Sequence, residues 1–279
     1  MVPGVGRAWR LAAVAFAAAV PVAVQAAESC TAGPGPAAIA NAASLHTLAW
    51  SPFGRAELGW EVYVPAVAHE IATTCDPATP GFAAALAKWQ GAHHLAATGI
   101  LDEPGFAALK ETWQSRRPYV ALRNQGNCPP PPPPERLATP RSSEAYLGKP
   151  IQLRTTTLAA YRRMVAAARA GVPGLKADPR WLTIFSGFRD PAADALRCAT
   201  EGNCQGIVRA QCSAHRTGLA LDLYVGQAPG YGADSSADPN RRAMVRTPLY
   251  AWLLVNAKQF GFVNYVFEPW HWEWTGEAP

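Results

Sequence analysis

Two histidines, an aspartate and a glutamate in the second half of the chain have the types and spacing for hydrolytic chemistry. His215 and Asp222 lie in Ser213-Ala214-His215-Arg216-Thr217-Gly218-Leu219-Ala220-Leu221-Asp222, and Glu268 stands three residues before His271 in Glu268-Pro269-Trp270-His271. Two imidazoles and one carboxylate can hold a single zinc ion. Three protein ligands leave the fourth tetrahedral position open for water, which separates a catalytic zinc site from a closed structural one. The remaining carboxylate, Glu268, could then take a proton from that water. His215 and His271 are the only histidines after residue 140, and both fall inside these motifs. The bland alternative is that His215 and Asp222 simply pair, with His271 packed beside tryptophans.

These residues need a scaffold that brings them together. Leu219, Leu221 and Leu223 alternate with Ala220, Asp222 and Tyr224, the period of a half-buried strand. The leucines are expected to face the core and Asp222 a cleft. Trp270, Trp272 and Trp274 alternate with His271 and Glu273, so His271 and Asp222 can meet on open faces of neighbouring strands. Leu158, Tyr161, Met164, Val165 and Ala168 stripe a helix near 155–170, and Trp181 to Ser186 reads as a strand. Thr247-Pro248 opens a further helix and Gly261 closes it.

The blocks Ser-x-His-x-x-Gly-x-Ala-x-Asp and Glu-x-x-His, preceded by Ser186-Gly187-Phe188-Arg189, resemble the zinc D-alanyl-D-alanine carboxypeptidases of the VanY type. That group shares its fold with D-Ala-D-Ala dipeptidases and the signalling domain of Hedgehog proteins. The resemblance spans about residues 145–276. It implies an α+β catalytic domain, an antiparallel sheet with flanking helices, and one Zn2+ bound by His215, Asp222 and His271. It further implies Glu268 as general base and later acid. Arg189 would steady the developing oxyanion or hold the substrate carboxylate, its planar fork suiting either; the plain alternative is an ion pair with Asp190. Ser213 is a candidate for substrate binding or for ordering the metal loop. Glu273 shares a face with His271 and is expected as an exposed strand carboxylate, with support of the metal ligand as the alternative. The chain departs from the family pattern at Asp190-Pro191-Ala192-Ala193-Asp194 and in the Cys198–Cys212 insert, both near the expected substrate pocket. A different enzymatic reading makes Cys212 a nucleophile with His215 as base, but Cys212 lacks the surroundings that activate a thiolate and has cysteines nearby to pair with.

Upstream, Phe82, Leu86 and Trp89, then Phe106, Leu109 and Trp113, mark two amphipathic helices, the second capped by Asp102 with Pro104 in its first turn. With the Gly99-Ile100-Leu101-Asp102 turn between them they resemble the small three-helix peptidoglycan-binding module, so a small all-α domain is expected to precede the catalytic one. Six prolines, Pro129 to Pro134, suggest a stiff polyproline II spacer of roughly 19 Å. Arg7 and Arg10 before the apolar run Leu11 to Val24 read as an export leader. The expected organisation is a signal peptide at 1–27, a helical domain at 28–123, a proline-rich linker at 124–140 and a catalytic domain at 141–279. Six cysteines suit an oxidising compartment. Cys30 with Cys75 is the first expected pair, at least one bridge lies among Cys198, Cys204 and Cys212, and either a bridge crosses the halves or a thiol stays free. The formal net charge of +5 is scattered and forms no basic block of the nucleic-acid-binding kind. No membrane-spanning segment is expected in the mature chain. Together these readings point to an exported, periplasmic or wall-associated zinc peptidase acting on the D-Ala-D-Ala bond of peptidoglycan stem peptides. The alternatives are an L-Ala-D-Glu or cross-link endopeptidase and a non-catalytic murein binder.

Overall fold

A computed structural model of the protein describes residues 1, 30–31, 33–125, 128–202, 204 and 212–279. The expected leader therefore lies outside the described residues apart from Met1, as does most of the insert before Cys212. No described helix is long and apolar enough to cross a membrane.

The N-terminal half is mainly helical: α1 Pro36–Ser44, a two-residue strand pair β1 Ala49–Trp50 and β2 Glu57–Leu58, then α2 Val64–Glu70, α3 Pro80–Ala92, α4 Glu103–Ser115 and α5 Pro118–Asn124. Local chemistry sets the starts of α3 and α4. Thr79 and Asp102 accept hydrogen bonds from the Phe82 and Gly105 amides, satisfying first-turn donors, and a proline follows each cap. The two apolar stripes are buried, with Phe82, Leu86, Phe106 and Leu109 sealed from solvent. Gly99, at φ +68°, makes the turn between the helices, and a side chain there would press on the Ala83 carbonyl 2.6 Å away.

In the C-terminal half, β3 Leu137–Ala138 pairs with β4 Leu153–Arg154, and α6 Thr155–Gly171 follows directly. Next come β5 Ile184–Ser186, α7 Pro191–Glu201, β6 Ala220–Leu223, α8 Asp238–Val245, α9 Pro248–Asn256, β7 Phe262–Asn264 and β8 His271–Trp274. The main sheet runs β5-β6-β8-β7, antiparallel throughout, so the architecture is α+β. Of the expected Trp181–Ser186 strand, Ile184–Ser186 is regular; Leu182 turns into the left-handed region at φ +67° and breaks the extended run, although its amide and the Thr183 carbonyl still bond to Tyr224 at 2.9 Å. The helix from Pro248 ends at Asn256 and tightens into a 3-10 turn before Gly261. All four residues of β6 are buried, Asp222 among them, although Asp222 also borders a cavity.

The proline run does not hold the halves apart. One contiguous core takes in Trp60 and Phe106 from the first half and Leu221 and Trp272 from the second. Phe53 packs on Tyr265 and Phe267, 5.6 and 5.3 Å between ring centres. Arg241, fully buried, donates to the Glu57 carboxylate at 2.9 Å, the Tyr63 hydroxyl at 2.7 Å and the Phe267 carbonyl at 2.9 Å. Such a buried charge is tolerable only with its donors matched in this way. Pro129 and Pro132 are buried, three residues apart as the polyproline II period requires, so one edge of the rod lies against the protein. The disulfides are Cys30–Cys75, Cys198–Cys204 and Cys128–Cys212, the last of them joining the proline run to the loop before His215. No free cysteine remains, which removes the Cys212 nucleophile.

Candidate metal centre

Asp222 and His271 are direct cross-strand partners on β6 and β8. The β6–β8 register therefore brings a carboxylate and an imidazole, expected on neighbouring strands, directly together. His215 arrives from the 3-10 turn Ala214–Thr217 that feeds β6. Ser213 caps this turn by accepting the His215 amide at 3.2 Å, and Gly218 ends it at φ +70°.

The donor atoms converge. His215 Nε2 lies 3.2 Å from one oxygen of Asp222, and His271 Nδ1 lies 2.9 Å from the other. One ligand atom from each of the three falls within 4.8 Å of the other two. The outer nitrogens are already engaged: His215 Nδ1 donates to the Gly187 carbonyl at 2.8 Å, and His271 Nε2 faces Glu273 at 3.3 Å. Both rings are thereby turned so that their remaining nitrogen points at Asp222. Imidazole ligands of metals are held by their second nitrogen in this way, so the three residues could hold a metal ion.

Electrostatics differ among the three candidate ligands. Burial lowers the pKa of His215. Burial also opposes the charge on His271, but hydrogen bonds to Asp222 and Glu273 outweigh it and raise this ring to about 9. Asp222 is buried as well, yet the two rings hold it below the usual carboxylate range. At Glu268 burial wins over the nearby charges of His271, Arg117 and Arg189. Burial pushes it up to about 7, the range in which a carboxylate exchanges protons near neutral pH.

Glu268 and Arg189 line two adjoining cavities. One, about 320 Å³, lies between the halves and is bounded by Phe53, Arg123, Ser213, His215, Tyr265 and His271. The other, about 400 Å³, is bounded by Lys149, Phe188, Arg197, Asp222, Asp234 and Trp270. Arg189 does not pair with Asp190, whose side chain caps α7. It donates instead to buried Asp194 at 3.2 Å, and its Nε has no partner among the described residues. The departure at Asp190–Asp194 therefore supplies the support behind Arg189.

Glu273 is the main surprise. Expected as an exposed strand carboxylate, it is 2% exposed and bonded to His271 on one side and Arg117 on the other. Its place on the His271 face was visible in the strand alternation. Arg117, in the N-terminal half, carried no sequence signal.

A buried His-Asp-His set beside a carboxylate and an arginine in an open cleft has the make-up of a hydrolase site. Residues 150–277 match the VanY family, described as D-alanyl-D-alanine carboxypeptidase, and the C-terminal half is a VanY-type peptidase domain. Among solved structures, the LdcB LD-carboxypeptidase, whose structure is described as revealing the molecular basis of peptidoglycan recognition, is 21% identical with a TM-score of 0.39. The match covers 51% of this chain and 69% of that one. No curated protein matches.

Proposed function

We propose that the protein is an exported zinc carboxypeptidase that removes the terminal D-alanine from the D-Ala-D-Ala end of peptidoglycan stem peptides. The observation that carries this reading is the convergence of His215, Asp222 and His271, within a VanY-type domain, beside a carboxyl that burial raises to about 7. Zinc held by these three residues would supply a Lewis acid toward the carbonyl and would bring the pKa of water from about 15.7 towards 7. Glu268 takes one proton from the attacking water. The water oxygen bonds to the carbonyl carbon, the C–N bond breaks, and Glu268 returns the proton to the leaving amine. Arg189, anchored by Asp194, offers donors to the developing oxyanion or to the terminal carboxylate. Three disulfides and the basic-then-apolar leader support an oxidising compartment outside the cytoplasm. The helical turn around Gly99 supports a second contact with murein, tested by cosedimentation with purified sacculi.

The cleft continues on both sides of Glu268 and Arg189. This supports a second reading, an endopeptidase with residues bound on either side of the cut bond. Mass analysis of purified protein incubated with pentapeptide and tetrapeptide stems, with and without chelator, separates the readings. Loss of one alanine from the pentapeptide is expected, abolished by chelator. Internal cuts would support the endopeptidase, and loss of alanine from the tetrapeptide alone would replace D,D- by L,D-specificity. Glu268→Ala is expected to keep zinc and lose hydrolysis by at least about 100-fold; unchanged turnover would remove Glu268 from the mechanism.

A further inference from the structure

The N-terminal half contributes no ligand, yet one of its side chains reaches the centre. Arg117 precedes α5 and is 6% exposed. Its Nε and Nη2 donate to Glu273 Oε1 at 2.8 and 2.5 Å, while Nη1 donates to Gln114 at 2.7 Å. The guanidinium lies 4.0 Å over the Tyr265 ring. The Tyr119 amide donates to the other oxygen of Glu273 at 3.4 Å. Both carboxylate oxygens are therefore held from the N-terminal half, and the oxygen that faces His271 Nε2 is the one the arginine grips.

We infer that Arg117 is a positioning residue for the metal centre, acting through Glu273 to fix the orientation of His271. The inference rests on reading His215, Asp222 and His271 as a metal site. A carboxylate that accepts the second N–H of a ligand imidazole sets the ring's tautomer and direction, and removing such a partner typically costs 10–100-fold in metal affinity. Here the carboxylate is itself fixed by a planar guanidinium fork that is stacked on the Tyr265 ring, geometry that lysine cannot reproduce. The helical half is then a structural part of the centre. A free-standing catalytic half would have Glu273 without its anchor, and His271 Nδ1 would be less constrained to face Asp222.

The test uses the full chain, stripped of metal and titrated with Zn2+ against a chromophoric chelator well below the unfolding temperature. The Co2+-loaded absorption spectrum gives a second readout. His271→Ala is included first: if it binds Zn2+ as the parent does, the metal-site reading itself fails. With that control lost as expected, Arg117→Ala should weaken Zn2+ binding about 10- to 100-fold and alter the Co2+ spectrum, with only partial recovery in Arg117→Lys. Arg162→Ala, which removes a surface pair with Glu144, should leave affinity unchanged. Because Arg117→Ala strands a buried carboxylate, Glu273→Gln and the double variant Arg117→Ala/Glu273→Gln complete a cycle. If Arg117 acts through Glu273, its removal has little further effect in the Glu273→Gln background. Parent-like affinity in folded Arg117→Ala, or fully additive effects in the cycle, would overturn the inference and leave Arg117 a purely structural residue.

Discussion

His215 and His271 flank the same aspartate, but their outer nitrogens are held by different means. His215 donates to the Gly187 carbonyl, a neutral backbone group next to Arg189 in the same half. His271 faces a buried carboxylate whose own counter-charge comes from the other half of the molecule. The pKa values follow the difference: His215 is lowered by burial, whereas Asp222 and Glu273 overcome burial and raise His271 to about 9. A carbonyl orients a ring with a dipole; a carboxylate orients it with a full charge, and a full charge underground must be matched. One imidazole is thus secured by backbone and the other by a chain of side chains crossing an interface. The second arrangement is the easier to break.

The sharpest way to break it is Glu273→Ala. The substitution leaves the Arg117 guanidinium buried without an anion and His271 Nε2 without its acceptor. Stability should fall by about 3–5 kcal/mol, as removal of one partner of a buried pair does. Chemical denaturation of the metal-stripped chain measures this. Glu273→Gln keeps an acceptor oxygen near both groups and should cost less. Equal losses for Ala and Gln would mean that the charge, not the hydrogen bond, carries the effect.

A smaller effect is expected on the His215 side from Cys128→Ser/Cys212→Ser. The bridge spans 84 residues and ties the metal loop to the proline run, so its loss should cost about 2–4 kcal/mol, chiefly by freeing the unfolded chain. The ring should nevertheless keep its aim, because the Gly187 carbonyl, the Ser213 cap and the bond from the Arg189 amide to the His215 carbonyl at 3.2 Å all remain. Only the Tyr119 hydroxyl contact with the Cys212 carbonyl is put at risk. Zinc affinity of the folded double variant should therefore stay within a few-fold of the parent, roughly the reverse of the Arg117 result. A large loss of affinity here would erase the contrast between the two histidines.

The same contrast explains what was legible in the sequence. Asp222 and His271 are strand residues, and period-two alternation set the face each takes on neighbouring strands, because side-chain direction in a strand is set by the backbone; that they are direct partners is a matter of register, which alternation does not fix. Alternation also put Glu273 on the His271 face, but it could not say that the face is covered. Burial on that side is supplied by Arg117 and Tyr119 from an element 154 or more residues away in sequence. The spacer reading of the proline run failed for a related reason. Polyproline stiffness is local, whereas the docking of Pro129 and Pro132 depends on the Cys128–Cys212 bridge and on the shared core. Leu182 broke the expected strand with a left-handed residue that nothing in an apolar, β-branched run announces. The bond from Arg189 to Asp194 in place of Asp190 is a helix-capping effect: Asp190 is consumed at the start of α7.

Glu268 gives the most finely graded test, because it is the buried carboxylate of the centre that has no matching cation bonded to it. Its pKa is raised from 4.5 to about 7 by burial. In the unfolded chain the carboxyl gives up its proton near 4.5, whereas the folded protein retains it until about 7, so between these values the folded state holds more protons. Stability must then fall as pH rises across that interval, and the penalty is complete above pH 7. Glu268→Gln has no proton to lose. In chelator-treated protein it should match the parent near pH 4 and exceed it by about 1–3 kcal/mol at pH 8, the shift converted at about 1.4 kcal/mol per unit and taken as an upper range. His271 works in the opposite sense, its raised value lending stability at low pH that is lost as pH rises through about 9, but it is common to both proteins. Denaturant midpoints across pH 4–8 decide the matter. Parallel curves would mean that Glu268 ionises at its ordinary value, and with it would go the physical reason for casting this residue as the base.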